Sequence, residues 1–282
     1  MKFFITLIAL GLGLYANTNV AVSIAPQKSF VKSIGGDKVD VILMVKAGKS
    51  PHTYEPLPSQ MRDISKADVY FSIGVEFESV WLKRFKSQNR SMKIVDVSTG
   101  IKKIPILSRN NHDYGSHDPH EYERLDPHVW TTPNNIKIIA QNIYDELVKL
   151  DPKNTPYYKK NLDNLLNSLT RLNSEIKEIL SNVKYGTKFM VFHPSWGYFA
   201  HDFHLEQLAI EIGGKSPKPK SIIKILDIAK KESISAIFAQ PEFSQKSAKI
   251  ISNELGIDVI LVSPLNPNYR DNLIKMATSI AQ

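Results

Sequence analysis

The chain has 282 residues, 42% hydrophobic and 23% charged, which is the composition of an ordinary globular protein and excludes an intrinsically disordered one. Its net charge of +8 is spread along the chain without a platform of interleaved basic and aromatic residues, so we expect no nucleic-acid partner. The absence of cysteine excludes disulfides and a lipid-attachment thiol.

Residues 1–16 form the first distinct segment. They contain one basic residue, Lys2, followed by an apolar run and small residues that end at Ala16. The run is too short to span a membrane comfortably, so we predict a secretory signal peptide that is cleaved after Ala16. A retained signal anchor is the alternative. The segment and the lack of cysteine predict a protein exported to a bacterial periplasm.

Strand and helix patterns then alternate through residues 17–152. We predict strands at 19–25, 39–45, 69–73 and 93–97, and helices at 26–34, 59–66, 77–85 and 132–149. The near-continuous apolar character of the second strand indicates burial on both faces, as in a parallel sheet. This order predicts an N-terminal α/β lobe with crossover helices.

The alternation breaks at residues 109–123. This segment has few apolar residues and contains three histidines and four carboxylates; the histidines are His112, His117 and His120. We predict a surface loop that binds metal ions as an auxiliary to a main site, and a polar loop without such a role is the alternative.

Apolar residues recur at helical spacing from Thr155 to Val183, and Gly186 follows as a stop signal. We predict one long helix, roughly 45 Å in length, within a linker at 153–185. A coiled-coil dimer arm is the alternative. Alternation resumes in residues 186–282 and predicts a C-terminal α/β lobe. The fold expected is two Rossmann-like α/β lobes with mostly parallel sheets, joined by one long rigid helix.

Three histidines lie at or near strand-to-helix transitions: His52, His128 and His193. Ligands of open α/β sheets bind beyond the carboxyl ends of the strands, so these imidazoles are predicted to converge on one cleft. Imidazole suits zinc, copper, nickel or iron, whereas manganese prefers carboxylate and water. The set therefore favours zinc as a bound ligand, with manganese less favoured.

A catalytic zinc site is a second possibility, because such sites also have three protein ligands and an open fourth position. An exported zinc hydrolase would need a general base, and neither an HExxH helix nor a Ser-His-Asp pattern is present. Glu55 and Glu242 are candidates for a base, or for partners that orient an imidazole.

Several motifs occur in a fixed order: Pro51-His52-Thr53-Tyr54-Glu55-Pro56, the histidine-rich loop, Asp126-Pro127-His128-Val129-Trp130, the long helix, His193-Pro194-Ser195-Trp196-Gly197-Tyr198-Phe199 and Gln240-Pro241-Glu242-Phe243-Ser244. In this order the chain resembles the zinc-binding proteins of ABC importers, the ZnuA/TroA type. The resemblance covers essentially the whole mature chain.

The resemblance implies two α/β lobes that bind the metal between them and a non-enzymatic protein, expected to be a monomer, that delivers zinc to a membrane permease. His52 and His128 match the ligands of the first lobe, and His193 matches the first ligand of the second. Manganese-binding relatives tend to have glutamate at the position of His193, so histidine again favours zinc. His201 and His204 match no ligand and are expected to be surface or structural residues.

Two departures from the family pattern leave the fourth ligand open. Ser263 stands where relatives often have aspartate, and Gln240 stands where many have glutamate. Water is the first choice for the fourth ligand, a loop histidine such as His117 or His120 the second, and Glu55 the third; Ser263, Gln240 and Glu242 are further candidates as ligands or neighbours. A manganese-binding member of the family and an adhesin remain alternatives to the zinc importer.

Overall fold

A computed structural model describes residues 17–106, 125–211, 217, 219–234, 236–243 and 246–282. The predicted signal peptide and the histidine-rich loop, including His112, His117 and His120, lie outside the described residues. Within these ranges, no helix is long and apolar enough to cross a membrane.

The first lobe is built on a four-stranded parallel sheet with the order β2-β1-β3-β4. Its strands are β1 (Thr18–Val22), β2 (Val39–Leu43), β3 (Val69–Ser72) and β4 (Lys93–Asp96). Its helices are α1 (Ala25–Gly35), α2 (Pro58–Ile64), α3 (Glu76–Gln88) and α4 (Pro133–Leu150). Helix α1 ends at Gly35, and the next residue, Gly36, has a φ of 55°, a conformation that glycine adopts without strain.

The second lobe repeats this plan with the parallel order β6-β5-β7-β8. Its strands are β5 (Lys188–Val191), β6 (Glu206–Ala209), β7 (Ala236–Ala239) and β8 (Asp258–Leu261). Helix α5 (Thr155–Ile179) connects the lobes, and the second lobe contains α6 (Gly197–Asp202), α7 (Pro219–Lys231), α8 (Lys246–Leu255) and α9 (Tyr269–Ala281). The predicted fold class, two parallel-sheet lobes and one long helix, is confirmed.

Strand order reverses at the same place in both sheets. In the first lobe β1 pairs with both β2 and β3, and in the second β5 pairs with both β6 and β7. Side chains beyond the carboxyl ends of these strands lie at the edge where open α/β sheets bind ligands. The topology alone therefore directs attention to the carboxyl ends of β1, β3, β5 and β7 and to the loops beside them.

Helix α5 contributes to the hydrophobic cores of both lobes. Leu162 and Leu169 are buried in the first core, whereas Leu172 and Ile176 are buried in the second. The apolar face predicted for a long helix is thus covered by the chain's own lobes, and not by the seam of a coiled-coil dimer. With 25 residues the helix is about 37 Å long.

The helix ends at Ile179, earlier than the apolar pattern predicts. Leu180 and Val183 follow in turns and still pack against the second core. They continue the hydrophobic spacing because they are covered by the lobe, not because the backbone is helical. Periodicity reports burial here, and it overestimates the length of the helix.

A buried polar cluster supports the loop after β3. Glu78 is 4% exposed and accepts hydrogen bonds from the backbone amides of Ile73 and Gly74 and from the Ser23 hydroxyl. Burial raises the pKa of Glu78 to about 7, against the opposing effect of these hydrogen bonds. The cluster fixes the backbone that leads to Glu76.

We expect stability to fall as pH rises from 4.5 to about 7, because the folded chain retains the Glu78 proton in this range and the unfolded chain releases it. The proton on Glu78 contributes about 3 kcal/mol to the free energy of unfolding. This contribution is complete below the ordinary glutamate pKa of 4.5 and is lost above the raised pKa of about 7. Urea unfolding across this range should show the decrease in the wild type and a smaller one in Glu78→Gln. Equal pH dependence of the two proteins would contradict this prediction.

Candidate metal centre

His52 lies in the loop that follows β2. Gln60 holds this loop, since its amide nitrogen donates to the backbone oxygen of Leu43 at 3.0 Å and its amide oxygen accepts from the Tyr54 hydroxyl at 2.7 Å. The His52 Nδ1 atom lies 2.9 Å from a carboxylate oxygen of Glu76, the first residue of α3. Two separate strand ends thus position this ring and its partner.

His128 is almost fully buried, just before α4. Both its backbone amide and its ring Nδ1 bond to the same oxygen of Asp126, at 2.9 and 2.7 Å. The intervening Pro127 restricts the backbone between donor and acceptor. Asp126 is itself held, because Tyr198 of the second lobe donates to its backbone oxygen at 3.0 Å.

His193 follows β5 and is also almost fully buried. Its Nδ1 lies 3.2 Å from both carboxylate oxygens of Glu211, and its Nε2 is buried without a hydrogen-bond partner among the described residues. Burial lowers the pKa of the His193 imidazole, and Glu211 offsets this only in part. A lowered pKa favours the neutral imidazole, which is the form that binds metal ions.

The three rings converge at the junction of the lobes. One potential ligand atom from each histidine lies within 4.8 Å of the others, and ring centroids are 5.0 Å apart for His52 and His193 and 5.2 Å apart for His128 and His193. Because a carboxylate occupies Nδ1 of every ring, Nε2 is the atom left to bind an ion. Three imidazole nitrogen donors with this spacing form a potential zinc site.

The remaining walls of the site are mainly apolar. Phe243 stacks on the His193 ring with centroids 4.8 Å apart, and Trp130, Pro264 and Leu265 also line the cavity. The cavity volume is about 20 Å³, enough for one small ion or one water molecule. Electrostatic interactions inside such a small, apolar cavity are weakly screened.

Contacts on both sides of the cavity join the lobes. The Trp130 indole donates to the backbone oxygen of Pro264 at 2.7 Å, and Asn134 donates to Asp202 at 3.0 Å. Phe30 of α1 packs edge-on against Tyr269 of α9. Together with α5, these contacts hold the ligand-bearing loops of the two lobes in one arrangement.

The other sequence-derived candidates occupy different positions. Glu55 is exposed and does not join the histidine cluster. Gln240 is buried and bonds to the backbone of His193 and to the Ser195 hydroxyl. Ser263 donates to Glu242 at 2.5 Å, and Glu242 lines the cavity.

Sequence reasoning missed the three carboxylates that bond to the rings. It considered Glu55 and Glu242 as orienting partners, whereas the structure places Glu76, Asp126 and Glu211 there. Asp126 carried a local signal, because it precedes His128 by two residues. Glu76 and Glu211 are 24 and 18 residues from their histidines, so only the tertiary fold brings them together.

A family model described as ZnuA, the periplasmic zinc-uptake complex component A, matches residues 20–282. The chain belongs to this family. Zinc-binding protein AdcA of Streptococcus pyogenes serotype M3 is 29% identical in an alignment of 260 residues that covers 87% of this chain and 50% of AdcA. The chain thus spans about half the length of this curated relative.

Solved structures of the ZnuA family and its relatives share the fold. A crystal structure of ZnuA matches with a TM-score of 0.85 and 38% identity over 94% of this chain and 98% of that one. The laminin-binding protein Lmb of Streptococcus agalactiae, described as a bifunctional protein with adhesin and metal transporting activity, matches with a TM-score of 0.79 and 25% identity over 94% and 100% of the two chains. Membership in a periplasmic family agrees with an exported protein.

We expect Gly197→Ala to destabilise the protein, because the new methyl group would lie 2.5 Å from Oδ2 of buried Asp126. Asp126 cannot move away without disturbing His128, so the cost should be about 1–3 kcal/mol. Urea unfolding measures it. The same substitution in an Asp126→Ala background should cost less, and an equal cost in both backgrounds would disprove the steric explanation.

Proposed function

We propose that this chain captures Zn²⁺ outside the cytoplasmic membrane and delivers it to the membrane permease of an ABC importer. The observation that carries the proposal is the convergence of His52, His128 and His193, each with a carboxylate at Nδ1. The family description and the name of the AdcA relative support zinc as the cargo.

In this proposal the Nε2 atoms of the three histidines bind the ion between the lobes. Glu76, Asp126 and Glu211 fix the rotation and tautomer of the rings and make Nε2 a stronger donor. Zinc prefers tetrahedral coordination, which leaves a fourth position for water or another oxygen ligand. The protein would need only to bind and to release the ion, without changing it chemically.

Zinc is favoured over manganese by the chemistry of the donors. Manganese sites rely on carboxylate and water oxygen, whereas the cluster provides three imidazole nitrogens and no carboxylate within the same distance, as far as the described residues extend. The comparisons likewise do not favour a manganese-binding member over zinc.

The size of the site argues against the zinc-hydrolase alternative. A hydrolase must place an organic substrate beside the metal-bound water. The cavity of about 20 Å³ has room for a water molecule but not for an ester or a peptide. A solute-binding role also agrees with the family, whose described function is zinc uptake.

Several finer features belong to the same proposal. The chain would be exported by a signal peptide at residues 1–16 that is cleaved after Ala16, and it would act as a monomer. His112, His117 and His120 would form an auxiliary metal-binding loop near the main site. The permease would accept the ion when the interlobe contacts around Trp130 separate.

We expect the metal-stripped mature chain to bind one Zn²⁺ tightly and His128→Ala to lose this binding, because the buried ring is one of three ligands. Isothermal titration calorimetry measures both. His201→Ala is a matched control, since the His201 side chain is 68% exposed and contacts the adjacent Asp202. Undiminished binding by His128→Ala would refute the three-histidine site.

We expect Asp126→Asn to weaken zinc binding by about 10- to 100-fold, because the amide is a poorer partner for the His128 ring than the carboxylate. Competition with a chromophoric zinc chelator measures the change. Asp163→Asn, at an exposed ion pair on α5, provides the control for removal of one negative charge. Equal affinity of the two variants would show that Asp126 does not support the ligand.

A further inference from the structure

Glu242 has an unusual position beside the three histidines. It follows β7 in the turn Gln240-Pro241-Glu242-Phe243, and both Gln240 and Phe243 contact His193. Gln240 is bound to the His193 backbone, and Phe243 stacks on the His193 ring. The turn is therefore fixed against His193, and Glu242 enters the wall of the cavity.

The two carboxylate oxygens of Glu242 have different environments. Oε1 accepts the hydroxyl proton of Ser263 at 2.5 Å, and the Ser263 oxygen in turn accepts from the backbone amide of Leu265 at 3.0 Å. Among the residues that the structure describes, Oε2 is buried and has no hydrogen-bond partner. Leaving a buried carboxylate oxygen unpaired is costly, so this atom is expected to meet a donor or a cation when the site is loaded.

The charge of a bound zinc ion indicates which group Oε2 of Glu242 would contact. A zinc ion bound by three neutral imidazoles retains its double positive charge in a largely apolar cavity, where an uncompensated charge is costly. The carboxylates at Nδ1 lie on the far side of the rings from Nε2. Glu242 lines the cavity itself but is not part of the set of ligand atoms within 4.8 Å, which suits contact through a water molecule.

We propose that Glu242, oriented by Ser263, accepts a hydrogen bond from the water that occupies the fourth coordination position of the zinc ion. This inference rests on the proposed zinc-binding function and adds a residue to it. In this arrangement the pair of Ser263 and Glu242 provides the negative charge on the open side of the metal. Glu242 acts as a positioning residue for the water and raises the affinity of the site for a divalent cation.

The test compares zinc affinity in Glu242→Gln, Glu242→Asp and Glu254→Gln by chelator competition, with the mature chain. Glu242→Gln should weaken binding by about 10- to 100-fold, and Glu242→Asp, which keeps the carboxylate, should retain more affinity. Glu254→Gln is the matched control because Glu254 is exposed on α8, in the same lobe as Glu242. Far-UV circular dichroism and urea midpoints establish that each variant folds.

The visible spectrum of the Co²⁺-substituted protein adds a second measurement. This spectrum would not change in Glu242→Gln if the role of Glu242 were purely structural. If Glu242 holds the metal-bound water, the visible absorption bands of bound Co²⁺ should change in Glu242→Gln and stay the same in Glu254→Gln. Zinc affinity within twofold of wild type, or weakened binding with unchanged Co²⁺ bands, would overturn the inference. Zinc binding by His128→Ala separates the two proposals. If Glu242→Gln and His128→Ala both bind zinc normally, the proposed function fails. If His128→Ala loses binding and Glu242→Gln does not, only the role of Glu242 fails.

Discussion

In the cluster of His52, His128 and His193, each imidazole is held through Nδ1, the nitrogen that would not bind the metal. The contacts from Glu76, Asp126 and Glu211 to Nδ1 set the direction of Nε2, so the three rings point to one place. Without these carboxylates the rings could rotate, and the entropy of fixing them would reduce affinity. The rest of the structure serves to bring three such pairs, formed at separate strand ends, into one small cavity.

The two sheets and their connection meet this requirement. Equivalent strand orders place the reversal points of both sheets toward the interface, and α5 fixes the spacing between the lobes. Hydrogen bonds at Trp130 and Tyr198 then join the ligand-bearing loops across the interface. The geometry of the site is consequently a property of both lobes together, and neither lobe contains a complete set of ligands.

The sequence predicted the fold class because burial on both faces of parallel strands and one long amphipathic helix leave strong periodic patterns. It also indicated His52, His128 and His193, since each lies near a strand end. It did not indicate Glu76 or Glu211, because their pairing with histidine depends on distant segments that carry no local signal. Helix α5 ends before Val183 for a related reason: apolar spacing records burial, and buried turns can continue it.

Helix α5 has a consequence for how the molecule unfolds. Its first half forms part of the core around Leu162 and Leu169, and its second half forms part of the core around Leu172 and Ile176. Loss of this helix would expose apolar surface in both cores at once. The lobes therefore share one structural element, and we expect its disruption to couple their denaturation, so that they unfold together and not as two independently melting domains.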